Sequence, residues 1–219
     1  MVYTQRMHSL SHILHTILDV VFPRSPEART LQKMSPDAFV SSVRSAENLH
    51  DITAYFAYRD TFMREAIWQI KYRRNKKVAR MLAIVLSDYL LEDLQHKQQF
   101  EYFVDPILIP IPLSKKRKRA RGYNQVELIT NNLDNNFLTV DSNILTRIKH
   151  TPSQARTISR ETRLENIKGC FRVTKPEKIR GKNIIVLDDV VTTGSTLREA
   201  QKVLLEAGAR NVWLVGIAH

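Results

Sequence analysis

The sequence predicts an α/β fold in which a parallel sheet is flanked by helices, preceded by a small, mainly helical N-terminal element. From residue 103 onward, short apolar runs rich in β-branched residues alternate with segments whose apolar positions follow helical spacing, a pattern typical of parallel β-α-β units. Residues 184–187 are apolar without interruption, as expected for a strand that is buried on both faces. We therefore expect a helical element over residues 1–50 and the sheet-containing domain over residues 51–219.

The individual elements follow from local patterns. Apolar side chains at helical spacing indicate an amphipathic helix over residues 5–21. Another helix is predicted to begin at Ser35, because a serine followed by proline is a typical helix start. The other predicted strands cover residues 52–58, 107–111, 184–189 and 212–217, and the other predicted helices cover residues 61–72, 76–94, 123–133 and 195–207.

Composition and charge restrict the function classes. A hydrophobic fraction of 43% over 219 residues is enough for a sizeable core. The formal net charge of +12 favours phosphates, nucleotides and nucleic acids as partners, although a basic solvated surface is the alternative interpretation. Cys170 is the only cysteine, which excludes an intrachain disulfide and fits a cytoplasmic protein. The sequence has neither a signal-peptide pattern nor a membrane-length apolar run, so we expect no membrane insertion.

Two carboxylates and a loop of small residues follow the strand predicted over residues 184–189. Such a loop offers backbone N–H groups and a helix N-terminus at the carboxyl edge of the sheet, where an anion is favoured. Asp188 and Asp189 would be misplaced beside phosphate alone, but they can accept hydrogen bonds from vicinal hydroxyls or face a metal-bound pyrophosphate. The segment therefore indicates a sugar phosphate, with helix capping by an aspartate pair as the alternative. The loop residues are Thr192, Thr193, Gly194, Ser195 and Thr196.

This segment resembles the signature of type I phosphoribosyltransferases, which bind 5-phosphoribosyl 1-pyrophosphate (PRPP). The resemblance implies that Asp188 and Asp189 hold the ribose 2′- and 3′-hydroxyls and that residues 192–196 wrap the 5-phosphate. It also implies a type I phosphoribosyltransferase-like sheet and pentosyl transfer from PRPP, with Mg²⁺ arriving together with PRPP rather than on dedicated protein ligands.

Further segments are similar to the ComF family, which is associated with natural competence and the handling of incoming single-stranded DNA. One is the PIPL run of residues 110–113 followed by RGYNQ at residues 121–125, and another is the IKY run of residues 70–72. A third is the spaced set Thr151, Gln154, Arg163, Asn166 and Phe171. Family members often begin with a four-cysteine zinc module, but here residues 20–23 occur at that place without cysteines, so no zinc is expected.

Weaker assignments concern the leaving group. The loop after residue 111 is expected to contact pyrophosphate through Ser114, Lys115 and Lys116. Residues 151–166 are interpreted as a mobile cover that excludes water, with Arg163 as the catalytic candidate near the leaving group and a surface salt bridge as its alternative role. Displacement at the anomeric carbon passes through a cation-like sugar, so the protein mainly positions the reactants and stabilises charge on the leaving group.

Six of the seven residues from 115 to 121 are basic. The open interpretations are a solvated loop, pyrophosphate capture, or a track along a nucleic-acid backbone, with residues 71–77 as a second basic cluster. A tyrosine beside arginine can stack on bases. The candidate nucleic-acid contacts are Arg117, Lys118, Arg119, Arg121 and Tyr123.

Three function hypotheses follow. The chain is an enzyme that transfers phosphoribose from PRPP to an acceptor, a PRPP- or nucleotide-sensing binding module without turnover within an assembly of DNA-processing proteins, or a single-strand DNA-binding competence factor in which the pocket is secondary. The acceptor and the oligomeric state are not indicated by any pattern in the sequence.

Overall fold

A five-stranded parallel sheet forms the centre of the molecule. A computed structural model describes residues 25–47, 49–134, 136–149 and 167–219. The predicted helix over residues 5–21 and the predicted cover with Arg163 lie outside these ranges. The strand order is β1-β7-β6-β2-β3, and the predicted parallel α/β architecture is confirmed. The strands are β1 (Ile52–Phe56), β2 (Ile107–Pro110), β3 (Thr139–Val140), β6 (Asn183–Val190) and β7 (Asn211–Ala218).

In the described part of the chain, four helices precede the second strand. α1 (Pro26–Leu31) and α2 (Pro36–Ser42) each begin with a serine cap followed by proline, as predicted for the second of them. α3 (Thr61–Arg73) and α4 (Lys76–Glu101) follow, and α4 extends beyond its predicted end at residue 94. None of the helices in the described ranges is long and apolar enough to cross a membrane.

The second half contains α5 (Lys115–Arg121), α6 (Gln125–Thr130) and α7 (Ser195–Glu206). The described residues of this half also contain a short antiparallel pair, β4 (Leu145–Arg147) with β5 (Phe171–Val173), and a 3-10 helix at Pro176–Lys178. The interpretation of residues 115–121 as a loop is wrong. The Ser114 hydroxyl caps the segment and Gly122, with φ +80°, ends it, so local start and stop signals outweigh the repulsion among the basic side chains.

The two faces of the sheet carry separate apolar clusters. Ile185 and Leu187 of β6 pack with residues of α3 and α4 on one face, whereas Ile184 and Val186 pack with residues of α7 on the other. Each fully buried side chain of this size stabilises the fold by about 1.5–3 kcal/mol. Because side chains alternate along a strand, the next two residues of β6 also point to opposite faces, and these are the two aspartates.

Candidate functional site

The connection from β6 to α7 forms a small cavity at the carboxyl edge of the sheet. The cavity has a volume of about 30 Å³ and is lined by Asp188 and residues 190–197. All five predicted loop residues, 192–196, therefore lie around one cavity together with one of the two predicted carboxylates. The Thr193 and Ser195 hydroxyls are 3.0 Å apart, and Ser195 is buried at the start of α7. This is the arrangement of hydroxyls and helix start that the sequence predicts.

The loop is held in shape by Gly194 and Arg198. Gly194 has φ +74°, and a Cβ atom there would overlap Ile52 Cδ1 and lie 2.9 Å from Arg198 Nη1. Arg198 donates one hydrogen bond to the Thr193 carbonyl at 2.8 Å and two to the Asp51 carboxylate at 2.9 and 2.6 Å. The hydrogen bonds from Arg198 lower the pKa of Asp51. Neither Arg198 nor Asp51 is predicted from the sequence, because the pair joins residues that are far apart along the chain.

The two aspartates occupy different environments. Asp189 is buried, and its Oδ2 lies 2.9 Å from Lys71 Nζ at the end of α3. The Asp188 side chain keeps some exposure and lines the cavity. Asp188 Oδ1 accepts a hydrogen bond from the Asp189 N–H at 2.9 Å, and Asp189 Oδ1 accepts one from the Val190 N–H at 2.8 Å. The acidic pair is thus divided between the loop side and the α3 side of the sheet.

This division has electrostatic consequences. Removal from water, and next the negative charge of Asp189, raise the pKa of Asp188 to about 7, although Lys71 and Arg147 act in the opposite direction. Burial alone disfavours the Lys71 ammonium, but the carboxylates of Asp189 and Asp188 raise its pKa above the ordinary value. The Lys71 ammonium is thus favoured by the two carboxyl groups beside it, whereas the charged form of Asp188 is disfavoured.

The RGYNQ segment fastens α3 and β2 to each other. The Tyr123 hydroxyl donates to the Ile70 carbonyl and accepts from the Arg74 N–H at 3.1 Å. The Asn124 side-chain amide donates to the Ile111 carbonyl at 3.0 Å. The Ile111 N–H in turn donates to Leu187 of β6 at 2.8 Å. The IKY, PIPL and RGYNQ runs noted in the sequence therefore meet beside the aspartates.

The predicted pyrophosphate residues lie at the start of α5. Ser114 is buried and its hydroxyl accepts from the Arg117 N–H at 3.4 Å, while Lys115 and Lys116 are exposed. Burial, and then the positive charges of Arg147 and Arg121, lower the pKa of the Arg117 guanidinium, and Asp188 opposes that shift. A group of arginines therefore surrounds the Asp188 side of the site. Arg147 is not predicted from the sequence.

Metal coordination and the second basic cluster are two further predicted features of this region. Among the residues that the structure describes, no three His, Cys, Asp or Glu side chains converge as a metal site. The end of α3 and helix α5 share one face, where Arg74 lies 5.3 Å from the Tyr123 ring and Arg121 lies 5.4 Å from the Tyr72 ring. Tyr72 is 53% exposed. Arg163, the catalytic candidate, lies outside the described residues.

Comparisons with known proteins identify a related domain and related chains. Residues 122–219 match the family model of the phosphoribosyl transferase domain. The chain is 34% identical over 147 residues to DNA utilization protein YhgH of Escherichia coli O157:H7, covering 67% of this chain and 62% of that protein. It is 30% identical over 155 residues to competence protein F of Haemophilus influenzae, covering 69% and 64%. Competence protein ComFC of Bacillus subtilis is 31% identical over 170 residues, covering 76% and 62%. The chain spans less than two thirds of the length of these relatives.

Proposed function

Because the chain belongs to the ComF family of proteins with a phosphoribosyltransferase domain, we propose that it binds a phosphoribosyl compound, PRPP in the first place, at the end of β6. The observation that carries this proposal is the shared cavity of Asp188 and residues 192–196. A carboxylate suits sugar hydroxyls, and a loop of hydroxyls and backbone N–H groups suits a phosphate, so the groups around the cavity offer a partner for each end of ribose 5-phosphate.

The 5-phosphate would lie against the loop. Backbone N–H groups at the start of α7 are not used within the helix, and the helix dipole favours negative charge at this end. The Thr193 and Ser195 hydroxyls, 3.0 Å apart, add donors. Arg198 keeps the Thr193 carbonyl turned into its hydrogen bond, which presents the opposite side of that peptide segment to a ligand. The ribose hydroxyls would then donate to Asp188, with Asp189 behind it.

The pyrophosphate would lie on the other side of Asp188. Lys115 and Lys116 are exposed at the start of α5, four and five residues after Ile111, whose N–H pairs with β6. Arg117 and Arg147 surround the same region, and Arg163 would join them from the segment outside the described residues. Mg²⁺, when bound to PRPP, neutralises charge on the leaving group. The pyrophosphate oxygens would carry this ion.

Calorimetry tests the ligand class. We expect ribose 5-phosphate to bind at least about tenfold more tightly than ribose or inorganic phosphate, since each fragment keeps only one half of the interactions. PRPP with Mg²⁺ is expected to bind more tightly than ribose 5-phosphate because its pyrophosphate also contacts the cations of α5. Equal affinities for ribose 5-phosphate and inorganic phosphate would contradict recognition of the sugar.

Pyrophosphate release separates an enzyme from a sensing module. The protein is incubated with PRPP, Mg²⁺ and, one at a time, a panel of nucleobases and amines. Release with one acceptor supports pentosyl transfer, and PRPP binding without release for any acceptor supports a binding role without turnover. The calorimetry alone tests the proposed phosphoribosyl pocket, and either result of the pyrophosphate assay is compatible with it.

Single-stranded DNA is the second candidate ligand. Two observations favour it. The surface shared by the end of α3 and by α5, called the α3–α5 face below, combines stacked aromatic and arginine side chains. The relatives are named for DNA utilization and competence. We propose that strand phosphates contact the α5 cations while a base stacks on Tyr72, a contact worth about 1–3 kcal/mol. The Tyr123 hydroxyl is already hydrogen-bonded to the Ile70 carbonyl. We therefore expect the Tyr123 ring to contribute by positioning Arg74, whose guanidinium lies over it.

Neutralising α5 is expected to flatten the salt dependence of DNA binding. The variant replaces Lys115, Lys116, Lys118 and Arg119 with glutamine, and the slope of log K against log salt should fall by about 0.7 for each phosphate that is no longer neutralised. Anisotropy of a labelled oligothymidine measures the slope. The matched control removes four cations near the opposite edge of the sheet by replacing Arg180, Lys182, Lys202 and Arg210 with glutamine. If both variants give the slope of the unmodified protein, the α3–α5 face does not bind the strand.

A further inference from the structure

The two carboxylates at the end of β6 do not face the same space. Asp188 lines the cavity of the phosphate loop, on the face where Ile184 and Val186 pack. Asp189 continues the series of Ile185 and Leu187 on the opposite face. There, its Oδ2 lies 2.9 Å from Lys71 Nζ. A direct contact of both carboxylates with one sugar would require Asp189 to leave this position.

The Lys71–Asp189 pair is well enclosed and firmly supported. Only 19% of the Lys71 side chain and 6% of the Asp189 side chain are exposed. Lys71 occupies the last turn of α3, and Arg74 ends the helix in the left-handed conformation with φ 51°. The Tyr123 hydroxyl binds the Ile70 carbonyl and the Arg74 N–H on either side of Lys71. The RGYNQ segment therefore anchors the backbone on both sides of Lys71, and Asp189 holds the ammonium itself.

We propose that Lys71 is a positioning residue of the sugar site: its ammonium, 2.9 Å from Asp189 Oδ2, holds the Asp189 side chain on the α3 face, so that Asp188 alone meets the sugar hydroxyls. The proposal rests on the proposed phosphoribosyl pocket and adds a division of labour within the acidic pair. Asp189 acts through its charge and by accepting a hydrogen bond from the Val190 N–H, which places the last residue of β6 before the loop. Lys71 keeps the Asp189 carboxyl group in that position through the ion pair.

The groups that face Asp188 decide how its affinity for a sugar depends on pH. They are Asp189 on β6, Lys71 on α3, Arg147 on β4 and Arg117 on α5. Asp189 has the largest influence of any charged neighbour on the Asp188 carboxyl and raises its pKa, whereas Lys71 lowers it by less. Removing both charges of the pair together should therefore let Asp188 ionise at lower pH than in the unmodified protein.

The test compares Lys71→Gln, Lys71→Arg and the charge-neutral double variant Lys71→Gln with Asp189→Asn. Ribose 5-phosphate affinity is measured by calorimetry between about pH 5.5 and pH 8.5, and the melting temperature is measured in parallel. The phosphate of the ligand titrates in the same range, with a pKa near 6, but it does so equally for every variant. Differences between variants therefore report on the protein.

We expect Lys71→Gln to lose about tenfold in affinity and to melt earlier, because a buried carboxylate without its partner is unfavourable. Lys71→Arg should stay within about threefold. The double variant should return to within about fivefold at pH 8, with its pH profile moved to lower pH. If the Lys71–Asp189 pair were purely structural, the double variant would regain the melting temperature of the unmodified protein, but the pH profile of its ribose 5-phosphate affinity would not move.

Three outcomes overturn the proposal. The double variant binds as weakly as Lys71→Gln at pH 8, it recovers stability but not affinity, or its pH profile coincides with that of the unmodified protein. The first two would make Asp189 a direct sugar ligand. Failure of the unmodified protein to bind ribose 5-phosphate is a different result, because it removes the pocket assignment itself and is seen before any variant is made.

Discussion

Replacing Asp188 with asparagine is expected to lower the affinity for ribose 5-phosphate by about 100-fold or more. A carboxylate that accepts hydrogen bonds from two vicinal hydroxyls contributes about 1.5–3 kcal/mol for each bond, and an amide of the same shape retains only one acceptor oxygen and no charge. Asp188 lines the cavity directly, so no neighbouring side chain replaces it. Calorimetry at pH 8, where Asp188 is ionised, measures the loss. An affinity within threefold of the unmodified protein would contradict the pocket assignment.

The same substitution is expected to stabilise the ligand-free protein. The folded-state pKa of Asp188 is about 7, above the ordinary value of 3.8, so the folded protein holds a proton that the unfolded chain has already released. Ionised Asp188 therefore lowers stability progressively as pH rises from about 4 to about 7, and the full effect remains above that range. Asp188→Asn removes an effect on the order of 1–3 kcal/mol at pH 8, or a few degrees in melting temperature, and almost none at pH 4.

Asp141 is the matched control, because its substitution by asparagine is expected to change the melting temperature in the opposite direction. Its carboxylate lies 2.6 Å from Lys178 Nζ, and although burial alone would raise its pKa, the hydrogen bonds from Lys178 and the Asn143 N–H lower it. Asp141→Asn should therefore reduce the melting temperature at pH 8, and the reduction should vanish as pH falls below about 4. Opposite signs for two aspartate-to-asparagine changes would show that Asp188 is kept for binding at the expense of stability. A lower melting temperature of Asp188→Asn at pH 8 would contradict this account.

Much of the fold is predictable because its signals are local. The uninterrupted apolar run of β6, the small-residue loop and the amphipathic α7 lie next to one another in the chain, and strand-loop-helix order determines which edge of the sheet they meet. The division of the aspartates is also within reach of the sequence, since adjacent residues of a strand point to opposite faces. The family resemblance assigns both carboxylates to the sugar and takes no account of the opposite directions of their side chains.

The parts that could not be predicted depend on contacts between distant segments. Arg198 supports the loop through Asp51, 147 positions earlier in the chain, and Lys71 reaches Asp189 from a helix at the other end of the domain. No local pattern distinguishes Arg198 from the many other cations in a chain with net charge +12, and the IKY run contains Lys71 without indicating its partner. The helix at residues 115–121 escapes prediction for the opposite reason. Its cap and stop residues are local signals, but the density of like charges favours a solvated loop.

Gly194→Ala is expected to reduce phosphate affinity at the loop by about 30-fold or more. The residue has φ +74°, and a methyl group there would overlap Ile52 Cδ1, whose side chain is buried, and lie 2.9 Å from Arg198 Nη1. Making room requires the buried Ile52 side chain to move and the Arg198 guanidinium to shift, and this shift disturbs its 2.8 Å hydrogen bond to the Thr193 carbonyl. The backbone N–H groups of the loop then lose the common direction that an anion site needs. Calorimetry with ribose 5-phosphate and with inorganic phosphate measures the effect.

Gly181→Ala separates this steric effect from the conformational one. Gly181 has φ +70°, and a Cβ atom there would meet nothing within 4 Å. Both alanine variants bear the cost of a left-handed backbone, about 1–2 kcal/mol, so both should melt a few degrees earlier. Only Gly194→Ala also displaces Arg198, and only it should lose phosphate affinity. If the two variants bind phosphate equally well, Arg198 does not shape the loop for an anion, and the 5-phosphate must be sought elsewhere along the edge of the sheet.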